Sequence, residues 1–180
     1  MTQDVVYCID SSALIELRQR YPRAIFPALW QKLSELVRAG RLIAPREVKK
    51  EVAKDDELPS WVKHNRRVFV ALTAAQVQRV GEILKRFPGL IDPTKEIPDA
   101  DPFVIALALS ENAENLFAKH VVVTMERRSR GTKPKIPDVC TAYGVECIFG
   151  STALTELFEG EGWRFTEVQV RRSSPSSDAS

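Results

Sequence analysis

Four acidic residues of this 180-residue chain combine a reactive side chain with a telling place in the sequence. Asp10 follows the apolar run Val5-Val6-Tyr7-Cys8-Ile9, and Glu126 follows Val121-Val122-Val123-Thr124-Met125. Glu51 lies in Val48-Lys49-Lys50-Glu51-Val52, and Asp101 opens Asp101-Pro102-Phe103-Val104-Ile105-Ala106. A set of carboxylates with no histidine or thiolate among them is an all-oxygen ligand set, which selects hard ions such as Mg²⁺ or Mn²⁺ over zinc. Such ions activate water and stabilise both oxygens of an in-line displacement at a phosphodiester, so the chemistry expected is metal-dependent hydrolysis of nucleic acid. Drawn within about 4 Å of one another, the carboxylates would repel by about 4 kcal/mol per pair at an effective dielectric near 20, and a cluster of that kind requires cations.

Each acid also has a plainer reading. Asp10 or Ser11 can cap the helix that follows it, and Asp101 before Pro102 has the form of a helix start. Glu47, Glu51 and Asp55 are four residues apart and share one helix face, which for Glu47 and Asp55 reads as a solvated acidic edge. Asp99 competes with Asp101 for the third position, although the spacing to Ala106 and Ala108 favours Asp101.

The elements around these residues decide whether they can meet. Residues 5–9, with two valines and an isoleucine, read as a strand buried on both faces, and Ala13, Leu14 and Leu17 then recur at helical spacing. A second amphipathic helix runs through Phe26, Leu29, Trp30, Leu33, Leu36 and Val37 and ends at Gly40. Leu42-Ile43-Ala44 is a second short strand, followed by the helix carrying Glu51; a further helix restarts at Ser60-Trp61-Val62. Thr73 and Gln76 form a capping box ahead of Val77, Val80, Ile83, Leu84 and Phe87. After the Asp101 helix come the strand at 121–123, a short helix from Ile136 closed near Gly144, a strand at 145–149 and a last helix at 151–158. This alternation predicts an α/β fold, three layers α/β/α with a mostly parallel central sheet. On such a fold Asp10 and Glu126 end two strands on one edge, and Glu51 and Asp101 reach that edge from helices. The carboxyl edge of an open parallel sheet is where ligands bind.

Composition narrows the setting. The length predicts a single domain over residues 1–170. Residues 164–170 alternate weakly, as an edge strand or extended arm would, and 171–180 are expected to be a disordered tail with nothing to bury. With 26 Lys and Arg against 24 Asp and Glu, the net charge of +2 makes any nucleic-acid footprint a local matter. One such footprint is the loop Arg127, Arg128, Arg130, Lys133 and Lys135 beside the proposed site, which could hold phosphates or simply be solvated. Three widely spaced cysteines suit a reducing cytosol, and no apolar run approaches a membrane span, so a cytoplasmic protein away from membranes is expected.

Taken in order, these motifs resemble the PIN domain nucleases, and within them the VapC-like toxins and their PilT N-terminal-like relatives. The match covers most of residues 4–150 and rests on YCIDSSALI, on Val48-Lys49-Lys50-Glu51, on Asp101 opening an Ala-rich helix, and on VVVTMERR. The resemblance implies that Asp10, Glu51, Asp101 and Glu126 are catalytic metal ligands for Mg²⁺ or Mn²⁺, with Ser12 and Thr124 as polar supports. It implies an RNA substrate, a cognate antitoxin protein that covers the acidic site, and a homodimer. One position departs from the pattern: the fourth acid is more often aspartate, and the longer arm of Glu126 would bind metal through water or less tightly. A PIN fold that no longer cuts, serving as an RNA- or protein-binding module, is the alternative this departure keeps open. Receiver domains need a lysine after the last parallel strand, where Cys147-Ile148-Phe149-Gly150 has none. Dehalogenase-type phosphatases need an aspartate where this chain has Ser12.

Overall fold

In a computed structural model the chain is described over residues 4–53, 58–97 and 99–164. Five parallel strands form one sheet in the order β3-β2-β1-β4-β5: β1 (Asp4–Ile9), β2 (Leu42–Pro45), β3 (Phe69–Val70), β4 (Ala118–Thr124) and β5 (Cys147–Phe149). The uninterrupted apolar run of β1 puts it in the middle. It pairs with β4 along its full length, from Asp4 opposite Ala118 to Ile9 opposite Val123, and with β2 at Tyr7 and Cys8.

Helices cover both faces, because parallel strands need a crossover between each pair. They are α1 (Ser11–Arg20), α2 (Pro27–Arg38), α3 (Arg46–Val52), α4 (Leu58–His64), α5 (Ala74–Arg86), α6 (Asp101–Glu114), α7 (Ile136–Tyr143) and α8 (Ala153–Gly160). Alternation along β1 shows the layering. Tyr7 sends its hydroxyl to Glu161, just past α8, at 3.0 Å, while the buried Cys8 thiol on the opposite face is pushed up by burial and by the charge of Glu111 on α6. Arg41 closes the first of these faces with two bonds to Glu161, at 2.9 and 2.5 Å. On α2 and α4, Trp30 and Trp61 meet edge to face with centroids 5.4 Å apart, a contact worth about 1 kcal/mol beyond its burial.

The expected three-layer α/β/α architecture is the one observed. The capping box is also present, Thr73 accepting from the Gln76 amide and Gln76 from the Thr73 amide. Three details differ. The two-residue strand β3 has no counterpart in the sequence reading. Asp101 is the first residue of α6 and its side chain does not cap the helix; Ala100 takes the cap position with no side-chain bond. Glu47 is half-buried rather than part of a solvated edge. Asp55, the strand or arm at 165–170 and the tail at 171–180 lie outside the described residues. Among the described residues, no helix is long and apolar enough to cross a membrane.

Candidate active site

Strand order turns the carboxyl edge into a crevice. From β1 the chain builds outward to β2 and β3 on one side and later to β4 and β5 on the other, so β1 and β4 flank the point where the order reverses. Ligands of open α/β sheets bind at that point. A cleft of about 420 Å³ lies there, lined by Asp10, Ser11, Ser12, Glu51, Lys95, Ile97, Asp99, Asp101 and Glu126. All four acids expected from the sequence share it, each delivered by a different element.

Asp10 is the most tightly held. It is 3% exposed and caps α1 by accepting from the Ala13 amide at 2.8 Å, so capping and cleft lining coexist in one residue. Thr124, fully buried at the end of β4, donates to Asp10 Oδ2 at 2.6 Å, and the Ser12 hydroxyl lies 2.8 and 2.9 Å from its two oxygens. Ser12 and Thr124 also accept the amides of Met125 and Glu126, at 2.9 and 3.0 Å. These two hydroxyls thus tie the end of β4 to the end of β1 and orient the carboxylate between them. Burial pushes Asp10 up to about 6, against the lowering effect of the three donors.

Glu51, on α3, accepts from the Ser11 hydroxyl and, at 2.9 Å, from the Ala100 amide. It therefore joins the start of α1 to the start of α6. Asp101 is set apart from the others. It accepts no hydrogen bond among the described residues, and burial, followed by the charges of Glu126, Asp10, Glu51 and Asp99, pushes it up to about 8. Glu126 leaves the strand end and accepts from Lys135 Nζ at 2.8 Å and from the Ile136 amide at the start of α7 at 2.9 Å.

Lys95, to which sequence reasoning gave no role, and Asp99, weighed there against Asp101, complete the cleft. Lys95 pairs with Asp99, whose other oxygen accepts the Asp92 amide at 2.8 Å, and the Asp99 bond pushes the lysine up. Asp99 thus lines the cleft but has both oxygens committed to Lys95 and the Asp92 amide, which leaves Asp101 as the one of the two with accepting capacity to spare. Lys135, expected to grip phosphate, is instead bonded to Glu126, and that bond pushes it up. Arg127, Arg128 and Arg130 are exposed and do not line the cleft. Arg128 lies over the Phe149 ring at 5.1 Å and donates to Thr141 at 3.0 Å.

The cluster is looser than four carboxylates in mutual contact. Among the described residues, no three side chains of Asp, Glu, His or Cys are grouped so as to hold an ion directly. The cause is local: Asp10, Glu51 and Glu126 each spend oxygen lone pairs on neighbouring donors. Mg²⁺ keeps several of its waters and is commonly held by one or two carboxylates, so the donor set fits such an ion with water completing the shell. Asp101 fits best, since its accepting capacity is unused and a cation would relieve the repulsion from Glu126, Asp10 and Glu51. Residues 7–165 match a family described as a domain of unknown function (DUF4411), and the chain belongs to that family. No curated protein and no solved structure matches it.

Proposed function

We propose that this member of the DUF4411 family is a divalent-metal-dependent endoribonuclease of the PIN type. The observation that carries the reading is the meeting of Asp10, Glu51, Asp101 and Glu126, from four separate elements, in one cleft at the switch point of a parallel sheet. A charge-repelled acid, Asp101, with no donor among the described residues is a feature that packing alone does not call for.

Asp101 and Asp10 would hold Mg²⁺ or Mn²⁺, with Glu51 and Glu126 bonding its waters. The ion, when bound, would supply an activated water and charge neutralisation at the phosphate. Ser12 and Thr124 keep Asp10 aimed and ionised. Glu51 fixes the start of α6, and with it Asp101, through the Ala100 amide. Lys95 places a cation at the cleft mouth, where it can meet a phosphate oxygen or balance the acids. The RNA preference, the antitoxin partner, the homodimer and the cytoplasmic setting belong to the proposal through the resemblance to PIN toxins.

The second reading, a binding module that does not cut, is favoured by one observation: Glu126 is neutralised by Lys135 and the Ile136 amide. Purified protein incubated with a pool of structured RNAs in Mg²⁺ or Mn²⁺ separates the two. The nuclease reading expects cleavage that is lost with EDTA, in Asp10→Asn and in Asp101→Asn. Intact RNA in the wild-type reaction, with no Mg²⁺ or Mn²⁺ binding by calorimetry, would replace it with the binding module.

A further inference from the structure

Beyond the cleft, the far side of α3 carries a second concentration of charge. Arg46, Lys49 and Lys50 are exposed on α3, Lys63 on α4, and Arg66 and Arg67 in the turn that leads to β3. None of the six forms an ion pair among the described residues, in contrast to Lys95 and Lys135, which are committed to acids. They surround three adjoining hollows that share Arg66: one lined by Lys49, Val52, Pro59 and Lys63, one by Arg46, Lys50, Ala53 and Phe69, and one by Val37, Arg67 and Asn65. Across residues 46–67, seven Lys and Arg stand against five Asp and Glu, so the excess of the whole chain is matched within this one stretch.

Helix geometry relates this strip to the cleft. At 100° per residue, Arg46, Lys49, Lys50 and Ala53 fall on one side of α3, and Glu47 and Glu51 on another. The two surfaces are therefore separated by one helix, about 10 Å across. A linear polyanion seated along the strip can cross α3 and enter the cleft without a second turn.

We infer that the α3–α4 basic strip is the seat for the phosphate backbone of single-stranded RNA, delivering it across α3 to the carboxylate cleft. This inference rests on the nuclease reading for its direction and places the main backbone contact away from the 127–135 loop, where Arg128 and Lys135 already have partners. A run of separated cations around successive hollows suits a chain of regularly spaced phosphates. Each phosphate contact on a single strand contributes about 0.7 to the slope of log binding constant against log salt.

The test is RNA binding by the full chain in the Asp10→Asn background, which holds substrate without cutting it. The strip is neutralised with Lys49→Gln, Lys63→Gln and Arg66→Gln, and a parallel variant carries Arg127→Gln, Arg128→Gln and Arg130→Gln. Circular dichroism and melting temperature confirm that each is folded. The expected result for the strip variant is at least a tenfold weaker Kd for a single-stranded oligoribonucleotide near 0.1 M salt, with the salt slope lowered by about 2 for three lost contacts. The loop variant should lose less. A strip variant within twofold of its parent in Kd, with an unchanged slope, overturns the inference. So does tighter binding of poly-glutamate than of RNA at matched charge and salt, which would assign the strip to an acidic protein segment. RNA that binds through the strip but is never cut by the wild type would remove the nuclease reading and leave the strip in place.

Discussion

Replacing Asp101 by asparagine in metal-free protein should raise stability at neutral and alkaline pH, although it removes a proposed metal ligand. Asp101 sits at the start of α6 with no donor among the described residues, and in the folded chain its carboxyl is pushed from 3.8 up to about 8, first by burial and then by Glu126, Asp10, Glu51 and Asp99. A folded value above the unfolded one means that the neutral acid is favoured on folding. That contribution is complete below about pH 4, declines as the pH rises towards 8, and is gone above it. The span of about 4 units corresponds to a ceiling on the order of 6 kcal/mol at 1.36 kcal/mol per unit. Water and counter-ions entering an open cleft screen part of this, and an ionised Asp in a first helical turn gains about 0.5 kcal/mol from the helix dipole. A net gain of about 2–3 kcal/mol for Asp101→Asn at pH 8.5 is therefore expected.

For a chain of this size that gain is a rise in Tm of roughly 4–12 °C. Melting by circular dichroism in EDTA at pH 4, 7 and 8.5 measures it, and the difference should shrink towards zero at pH 4. Mg²⁺ should reverse the order. An ion present at about a hundred times its Kd stabilises the wild type by about 2.7 kcal/mol and the variant by much less. A variant less stable than wild type by the same amount at every pH would refute the reasoning, because it would mean that Asp101 is not held against its neighbours' charge.

Two further substitutions address how the other acids are held. Thr124→Val removes the donor to Asp10 and the acceptor for the Glu126 amide, and should cost about 1–3 kcal/mol of stability and about 10–100-fold in cleavage. Because that donor lowers Asp10, the acid limb of the cleavage profile should also move to higher pH; a limb that stays in place would mean that Thr124 is only structural. Lys135→Met frees Glu126 from its ammonium partner, and by the usual worth of a partly exposed ion pair Mg²⁺ affinity should rise about two- to fivefold by calorimetry. Unchanged affinity would put Glu126 outside the metal-binding set.

What could be read from the sequence was what burial writes into it. A strand covered on both faces has few polar residues to spare, so residues 5–9 of β1 and 121–123 of β4 stood out as apolar runs, and the acid after each was placed on one edge by parallel topology alone. The helix positions of Glu51 and Asp101 followed from spacing, as did the capping box at Thr73 and Gln76. The short strand β3 left no such trace. Its two residues follow a basic turn, and its pairing of Phe69 with Ala44 and Val70 with Pro45 depends on how β2 and α3 are already packed.

The same distinction separates the place of a side chain from its partners. That Glu126 would reach the cleft edge was legible; that Lys135, nine residues on, would turn back to neutralise it was not, because the loop between them has no period and its closure is a tertiary event. Lys95 and its pairing with Asp99 escaped for the same reason, since the proline-punctuated loop that carries them has no period, and Asp99 was weighed only as a rival to Asp101. The Lys135 pairing gives the length of Glu126 a physical meaning. Its long side chain lets one carboxylate accept from both Lys135 and the start of α7, so Glu126 ties the end of β4 to the following helix as well as lining the cleft. A carboxylate with those two anchors can still bond a metal's water through its remaining lone pairs. Under the proposed nuclease reading the metal chemistry would rest on Asp101 and Asp10, the first with no donor among the described residues and the second held by three.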